Sequence, residues 1–482
     1  MGNNFSMGKM KSLLIIFLCL FLGFICQGQT AVEFFDRGIA KDDLGDHKGA
    51  IVEYSKAIGI NPSYSAAYYN RGLSKGKLND FYGAIRDFDQ AIEINPNFAE
   101  AYTNRGIAKD ELDDTEGAMV DYNIAVKVNP RLGVAFVNRG TAQDRLGNYQ
   151  KAIADYDTAI EIDKKDAIAY FNRGLAKYKL EDYKGALLDY NNAIEINPLL
   201  PQAYINRGNA KDKLNDRIGS IADFDKAIEI NPNLAVAYYN RGRSKYGYND
   251  FKGAIIDFDK VIENNSNSEE AFYYRGLAKY RLADYKGAIL DYTKTIEINP
   301  KLELVYIERG TVKYEIGEYK SALEDFSKSI EINAENGQSY YNRGLAKDKL
   351  SDFKGAILDY TKALEINPNF AFSYYNRGVA KEKLNDYNGA ILDYTKSLAI
   401  NPDDEKALFN RGVIKYKIDD LKGAILDYTK AIEINTNLSV AYFNRGIAKL
   451  YLEDIVGACL DWRKASNLGF TNADELIKEY CK

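Results

Sequence analysis

The dipeptide Arg-Gly returns every 34 residues, at Arg37-Gly38, Arg71-Gly72, Arg105-Gly106 and onward without a gap to Arg445-Gly446. Thirteen copies fill residues 31–472 and leave only a short leader and a short tail. A period of this length marks a chain built from one supersecondary unit, each copy burying its apolar face on its neighbours. The 482 residues are therefore read as one repeat array rather than as several globular domains.

Within a unit the pattern is helical. In the third repeat, residues 99–112 read as one helix, with Tyr102, Gly106 and Ala108 toward a neighbour. Asp113-Asp114 breaks it, and residues 115–128 read as a second helix, with Ala118, Tyr122 and Ala125 on one face. Asn129-Pro130 ends that helix, because proline disfavours helix in the residue before it. Eight of the nine prolines hold this same place. The glycine of Arg-Gly faces an aromatic of the second helix, from Tyr54 and Phe88 to Trp462. A second glycine (Gly83, Gly117, Gly185) opens the second helix. Each helical glycine costs about 1 kcal/mol against alanine, and close approach between helices is the expected reason for both. The fold class is all-α: an α-solenoid of thirteen helix-turn-helix repeats.

These residues resemble the tetratricopeptide repeat pattern, aromatic-x-x-Leu-Gly-x-x-Tyr, then Ala-x-x-x-Phe, then Pro. The third repeat supplies Tyr102, Arg105-Gly106, Lys109, Ala118, Tyr122 and Pro130. Two positions depart. The family leucine is arginine in every copy, and the family tyrosine is lysine in 12 of 13, with Gln143 the exception. The resemblance implies a right-handed superhelix whose first helices line a concave surface that binds peptides or proteins.

Sixteen residues after each arginine stands an acid, as in Arg105/Asp121 and Arg173/Asp189, without exception. Arginine and lysine four apart share a helix face and repel. The acid is expected to relieve this as a structural ion pair; an arginine row for acidic ligands is the functional alternative. Before the arginine stands asparagine in ten copies: Asn70, Asn104, Asn138, Asn172, Asn206, Asn240, Asn342, Asn376, Asn410 and Asn444. A large residue often precedes it, as Tyr69, Phe171, Tyr239, Tyr341 and Phe409. A side-chain amide offers a donor and an acceptor to a peptide bond, and superhelical members of the family grip extended peptides with such a row. The alternative is that each asparagine ties neighbouring helices together. The row breaks at Tyr274 and Glu308, just after the proline-free turn 264–268, which marks a soft joint or a change of groove character. A chaperone-type carboxylate clamp is not expected, since its partner positions hold residues such as Thr103, Val137 and Phe171.

The leader has Lys9 and Lys11 before an apolar run, residues 13–25, which is short for a membrane span of about 20 residues. Residues 1–28 read as a signal peptide, with an anchor retained through residues 13–25 as the alternative. The expected location is periplasmic or cell-surface. Residues 473–482 read as a capping helix, with Ala473, Leu476, Ile477 and Tyr480 inward. Cys459 and Cys481 lie equally far from Phe470 and are expected to form a disulfide in an oxidising compartment.

The chain shows no nucleotide loop, metal cluster or catalytic triad, and only one histidine, His47. At a net charge of -5 with no basic stripe, nucleic acid is not an expected partner. No cofactor, metal or small-molecule substrate is expected. The sequence reading is a non-enzymatic scaffold for extended peptides or protein surfaces; the alternatives are an assembly subunit of a cell-envelope or secretion complex and a targeting module for a separate enzyme.

Overall fold

The computed structural model describes residues 30–482. The leader readings (residues 1–28, the run 13–25 and its cysteines) lie outside the described residues. Among the described residues there are 27 helices and no strand. None of these helices is long and apolar enough to cross a membrane.

The chain divides into two compact units, one ending at Ala237 and the other running from Tyr238 to Lys482. Each is a succession of helical hairpins. In the first unit, Ala99–Asp110 pairs with Thr115–Val128, and Ala167–Lys179 with Tyr183–Ile196. In the second, Glu303–Glu315 pairs with Tyr319–Ile332, and Ala371–Lys383 with Tyr387–Ile400. We call the first helix of each hairpin A and the second B. Within each unit every hairpin also packs against the next.

Local chemistry sets the boundaries. The residue between A and B takes a positive φ in every repeat, as at Asn79 (61°), Asp113 (62°) and Gly147 (76°). Asp80 then caps the B helix by accepting from the Gly83 amide at 2.9 Å. This corrects the reading of the second glycine. A Cβ on Gly83 would lie 2.0 Å from the Asp80 carboxylate, so the glycine makes room for the cap rather than for a neighbouring helix. Where the capping aspartate is replaced by Asn148 or Glu318, the cap bond is lost and Lys151 or Ser321 stands in place of glycine. At the other end, Asn95 closes the turn by accepting from the Asn97 amide at 3.2 Å. The proline-free turn uses the same device, Asn265 accepting from Asn267 at 3.0 Å, and Ser268 caps the next helix.

The core is small residues against rings. Ala118, Tyr122 and Ala125 are fully buried, as are Ala186, Tyr190 and Ala193. The glycine of Arg-Gly lies flat on the B-helix ring, and a Cβ on Gly174 would sit 2.7 Å from Tyr190.

Between the two helices of a hairpin run ion pairs. Arg105 grips Asp121 through two bonds, Nε at 2.9 Å and Nη2 at 2.5 Å, and Lys109 adds a third at 2.8 Å. Arg173, Asp189 and Lys177 repeat this at 3.0, 2.5 and 2.8 Å. The aspartates are buried and the arginines half-buried. Two features were not anticipated. Within a unit, the free edge of a guanidinium that follows another repeat reaches the preceding B helix: Arg105 Nη1 to Asp89 at 2.6 Å, Arg139 to Asn123 at 3.1 Å, Arg377 to Thr361 at 2.9 Å. The guanidinium face covers the ring three residues earlier, Arg105 over Tyr102 at 5.3 Å. One arginine thus holds its own B helix, its own A helix and the preceding B helix. The first repeat is looser, with Arg37 at 3.8 Å from Glu53.

The last helix, Ala473–Tyr480, closes the second unit. Ala473 is buried, Leu476 and Ile477 are partly buried against Trp462, and Tyr480 is more exposed than expected, its ring 6.0 Å from Trp462. Cys459 and Cys481 form a disulfide with Cα atoms 5.6 Å apart.

Replacing Gly174 with alanine forces the Tyr190 ring to move in a packed core and should cost about 1–3 kcal/mol. Urea denaturation checks this, with Gly59→Ala, whose Cβ would meet nothing within 4 Å, as the control expected to hold or gain stability.

Candidate peptide-binding face

The candidate residues all sit on A helices, one position before the arginine or two. The arginine points into the hairpin, so its predecessor is turned about 100° away along the helix and lies at the edge of the buried stripe. Each of the ten asparagines is half-buried.

Their hydrogen bonds divide them. Asn104, Asn376 and Asn410 each donate to the hydroxyl of a tyrosine on the preceding A helix, Tyr69, Tyr341 and Tyr375, all at 3.0 Å. Asn70, Asn104 and Asn138 donate to the backbone carbonyl four residues earlier, Ala66, Glu100 and Val134. Asn104 therefore spends both amide protons on the protein and keeps only its oxygen for a ligand. Asn342 accepts from Gln338 at 2.8 Å. Asn172, Asn206, Asn240 and Asn444 make no hydrogen bond to the protein among the described residues, so their amides keep both donor and acceptor. The helix-tying role of the row is therefore seen at some positions and not at others.

The large residues beside the asparagines are packing rings. Tyr69 lies 4.7 Å from Phe98 and 5.9 Å from Phe88, and Tyr341 lies 4.7 Å from Phe370 and 5.9 Å from Tyr360. Phe171, Tyr239 and Phe409 meet the B-helix ring of their own repeat at 6.0, 6.2 and 5.8 Å. Burial pushes the Tyr69 phenol up to about 12, with the nearby Glu100 charge adding to it. Each ring offers only its uncovered part to a ligand.

Beside Asn104 the face deepens into a cleft of about 390 Å³, lined by Leu73, Gly76, Phe81, Phe88 and Ile107. Gly76 stands where the other repeats carry an acid, a tyrosine or, in the last, Leu450, and this opens the cleft. The arginine row offers no second face, because Arg105 and Arg173 are committed to aspartates on both sides. His47 is a support for the first repeat. It and Ser74 each bond to Asp42, at 2.8 and 2.7 Å, and no bond joins them to one another.

Helical hairpins repeated at a fixed period, with small residues against rings, define an α-solenoid. Profiles described as "Tetratricopeptide repeat" match residues 65–98, 167–198, 337–370 and 371–404, with further matches at 88–119, 201–234 and 405–438. A profile described as "TPR repeat" matches 43–79 and 145–181. The chain belongs to the tetratricopeptide repeat family.

Among solved structures, a MamA protein is 25% identical, covering 35% of this chain and 92% of that one at a TM-score of 0.34. A tetratricopeptide repeat protein from Parabacteroides merdae is 24% identical over 52% of this chain and 99% of that one, at 0.41. The Cut9–Hcn1 hetero-tetramer of APC/C gives 15% identity over 85% and 95%, at 0.40. The comparison with curated proteins returned no match. Tetratricopeptide repeats are in general non-catalytic modules that mediate protein–protein interactions.

Losing one neutral hydrogen bond costs about 0.5–1.5 kcal/mol. Asn104→Ala and Asn376→Ala should each lose stability in that range. Asn172→Ala and Asn206→Ala should leave the urea midpoint unchanged or raise it, alanine being the better helix former.

Proposed function

We propose that this protein is an exported, non-enzymatic scaffold that binds extended peptide segments or protein surfaces along its A helices. The observation that carries this reading is the pair Asn172 and Asn206. Each is half-buried on successive A helices of the first unit, and its amide makes no bond to the protein. A primary amide left with both functions at a fixed repeat suits the alternating N–H and C=O of a peptide backbone. The Gly76 cleft, a few repeats away, has the size and apolar lining to accept a side chain. The signal-like leader and the Cys459–Cys481 disulfide support a periplasmic or cell-surface location.

A second reading has its own observation. On the B helices of the second unit, Leu290, Leu358, Leu392, Leu426 and Leu460 occupy one repeat position, and each is more than half exposed. A row of exposed leucines, interrupted at Glu324, favours an assembly subunit held by its B-helix face.

A pull-down from envelope extract separates the two. The purified protein is compared with the double variant Asn172→Ala/Asn206→Ala and with Leu358→Lys/Leu392→Lys, each first checked for an unchanged melting temperature. The groove reading expects a partner recovered by the wild type and the leucine variant and lost by the asparagine variant. Loss by the leucine variant alone would replace it with the assembly reading.

A further inference from the structure

Where the asparagine row is interrupted, Glu308 stands in the asparagine position on the A helix Glu303–Glu315. It is half-buried, and among the described residues it has neither a hydrogen bond nor an ion pair. The cations on its own helix are already committed, Arg309 and Lys313 both binding Asp325 at 2.6 and 2.8 Å. A desolvated carboxylate without a partner is costly, and its own pKa is raised by burial alone.

Its surroundings are aromatic. In three other repeats the asparagine at this position lies 3.0 Å from the tyrosine hydroxyl 35 residues earlier. For Glu308 that residue is Tyr273. The register is matched electrostatically: the Glu308 charge raises Tyr273, Tyr280 and Tyr292. Tyr273 in turn lies 5.4 Å from Tyr274 and 6.2 Å from Tyr292. The Tyr292 hydroxyl is buried and without a hydrogen-bond partner. The site thus sets one unpaired carboxylate against a cluster of tyrosines, of which Tyr273 is half-buried, all within the second unit.

We propose that Glu308 and the half-buried Tyr273 form a subsite for a cationic side chain, the ammonium of a lysine or the guanidinium of an arginine in a bound peptide. A cation would donate to the carboxylate, and the uncovered part of the Tyr273 ring attracts it through its quadrupole. A neutral amide such as asparagine lacks the charge this site complements, which accounts for the break in the row as a change in the side chain read there. The inference deepens the scaffold reading and rests on the A-helix face being the binding face.

The test needs no natural partner. The full chain is titrated with N-acetyl-lysinamide and with its neutral isostere N-acetyl-norleucinamide, and dissociation constants are read by ligand-observed NMR. Three proteins are compared: wild type, Glu308→Asn, and Glu324→Gln, which alters an exposed glutamate of the same repeat. Asparagine occupies the 308 position in ten repeats, so the first variant keeps the fold. The proposal expects the wild type to bind the lysine derivative at least about tenfold tighter than the isostere. That preference should vanish in Glu308→Asn and survive in Glu324→Gln. No preference in the wild type, or an equal preference in Glu308→Asn, overturns the subsite. The outcome is independent of the pull-down: partner capture lost with Asn172 and Asn206 but no lysine preference would keep the scaffold and remove the subsite.

Discussion

The two helices of each hairpin are tied through one buried carboxylate, and the arginine that binds it reaches on to the preceding B helix within the unit. An aspartate taken out of water needs charge and hydrogen bonds around it, and here it receives a two-pronged arginine and, in most repeats, a lysine. The fork geometry decides the residue type. A guanidinium has enough N–H groups to hold the aspartate with one edge and the preceding B helix with another, while its face lies on a ring. A lysine at that position is a point charge and would make only one of these connections. The family leucine at this position would make none of them. Replacing it by arginine converts a greasy contact into a directional one that fixes, within a unit, how a hairpin meets the one before it.

The rest of the hairpin follows from that coupling. The arginine must lie close to the B helix, and the glycine beside it allows this, with the B-helix ring filling the space where a Cβ would stand. The capping aspartate and its own glycine start the B helix in register, so that the acid seven residues after the cap arrives opposite the arginine. The proposed binding face is built from what is left. The residue before the arginine is the first A-helix position outside the ion pair. Its occupant is free to tie helices together, as Asn104 does, or to remain available, as Asn172 does.

Much of this was legible in the sequence because it repeats. The period fixed the hairpin count, and the proline and turn acids placed helix ends within a residue or two: the third A helix ends at Asp110 against an expected 112. The strict 16-residue spacing identified the ion pairs. The third leg of each arginine was also written in the chain, two residues after the acid, as Ser55, Asp89, Asn123 or Thr361. It was missed because those residues vary while sharing only the ability to accept a hydrogen bond. The second glycine was misread because a small residue in a helix has several causes, and only the cap geometry separates them. The division of the asparagines could not be read from the row itself. It depends on the residue 35 positions earlier being a tyrosine, as Tyr69 is and Phe171 is not.

The coupling is tested most directly by a double-mutant cycle on Arg173 and Asp189, using Arg173→Leu, Asp189→Asn and the pair together, with stabilities from urea denaturation. If the buried pair organises the hairpin, each single change strands charged partners, and the double variant loses less than the sum of the two. The expected coupling energy is about 1–3 kcal/mol. Stabilities that simply add would contradict the account, since the arginine and the acid would then be neighbours without being partners.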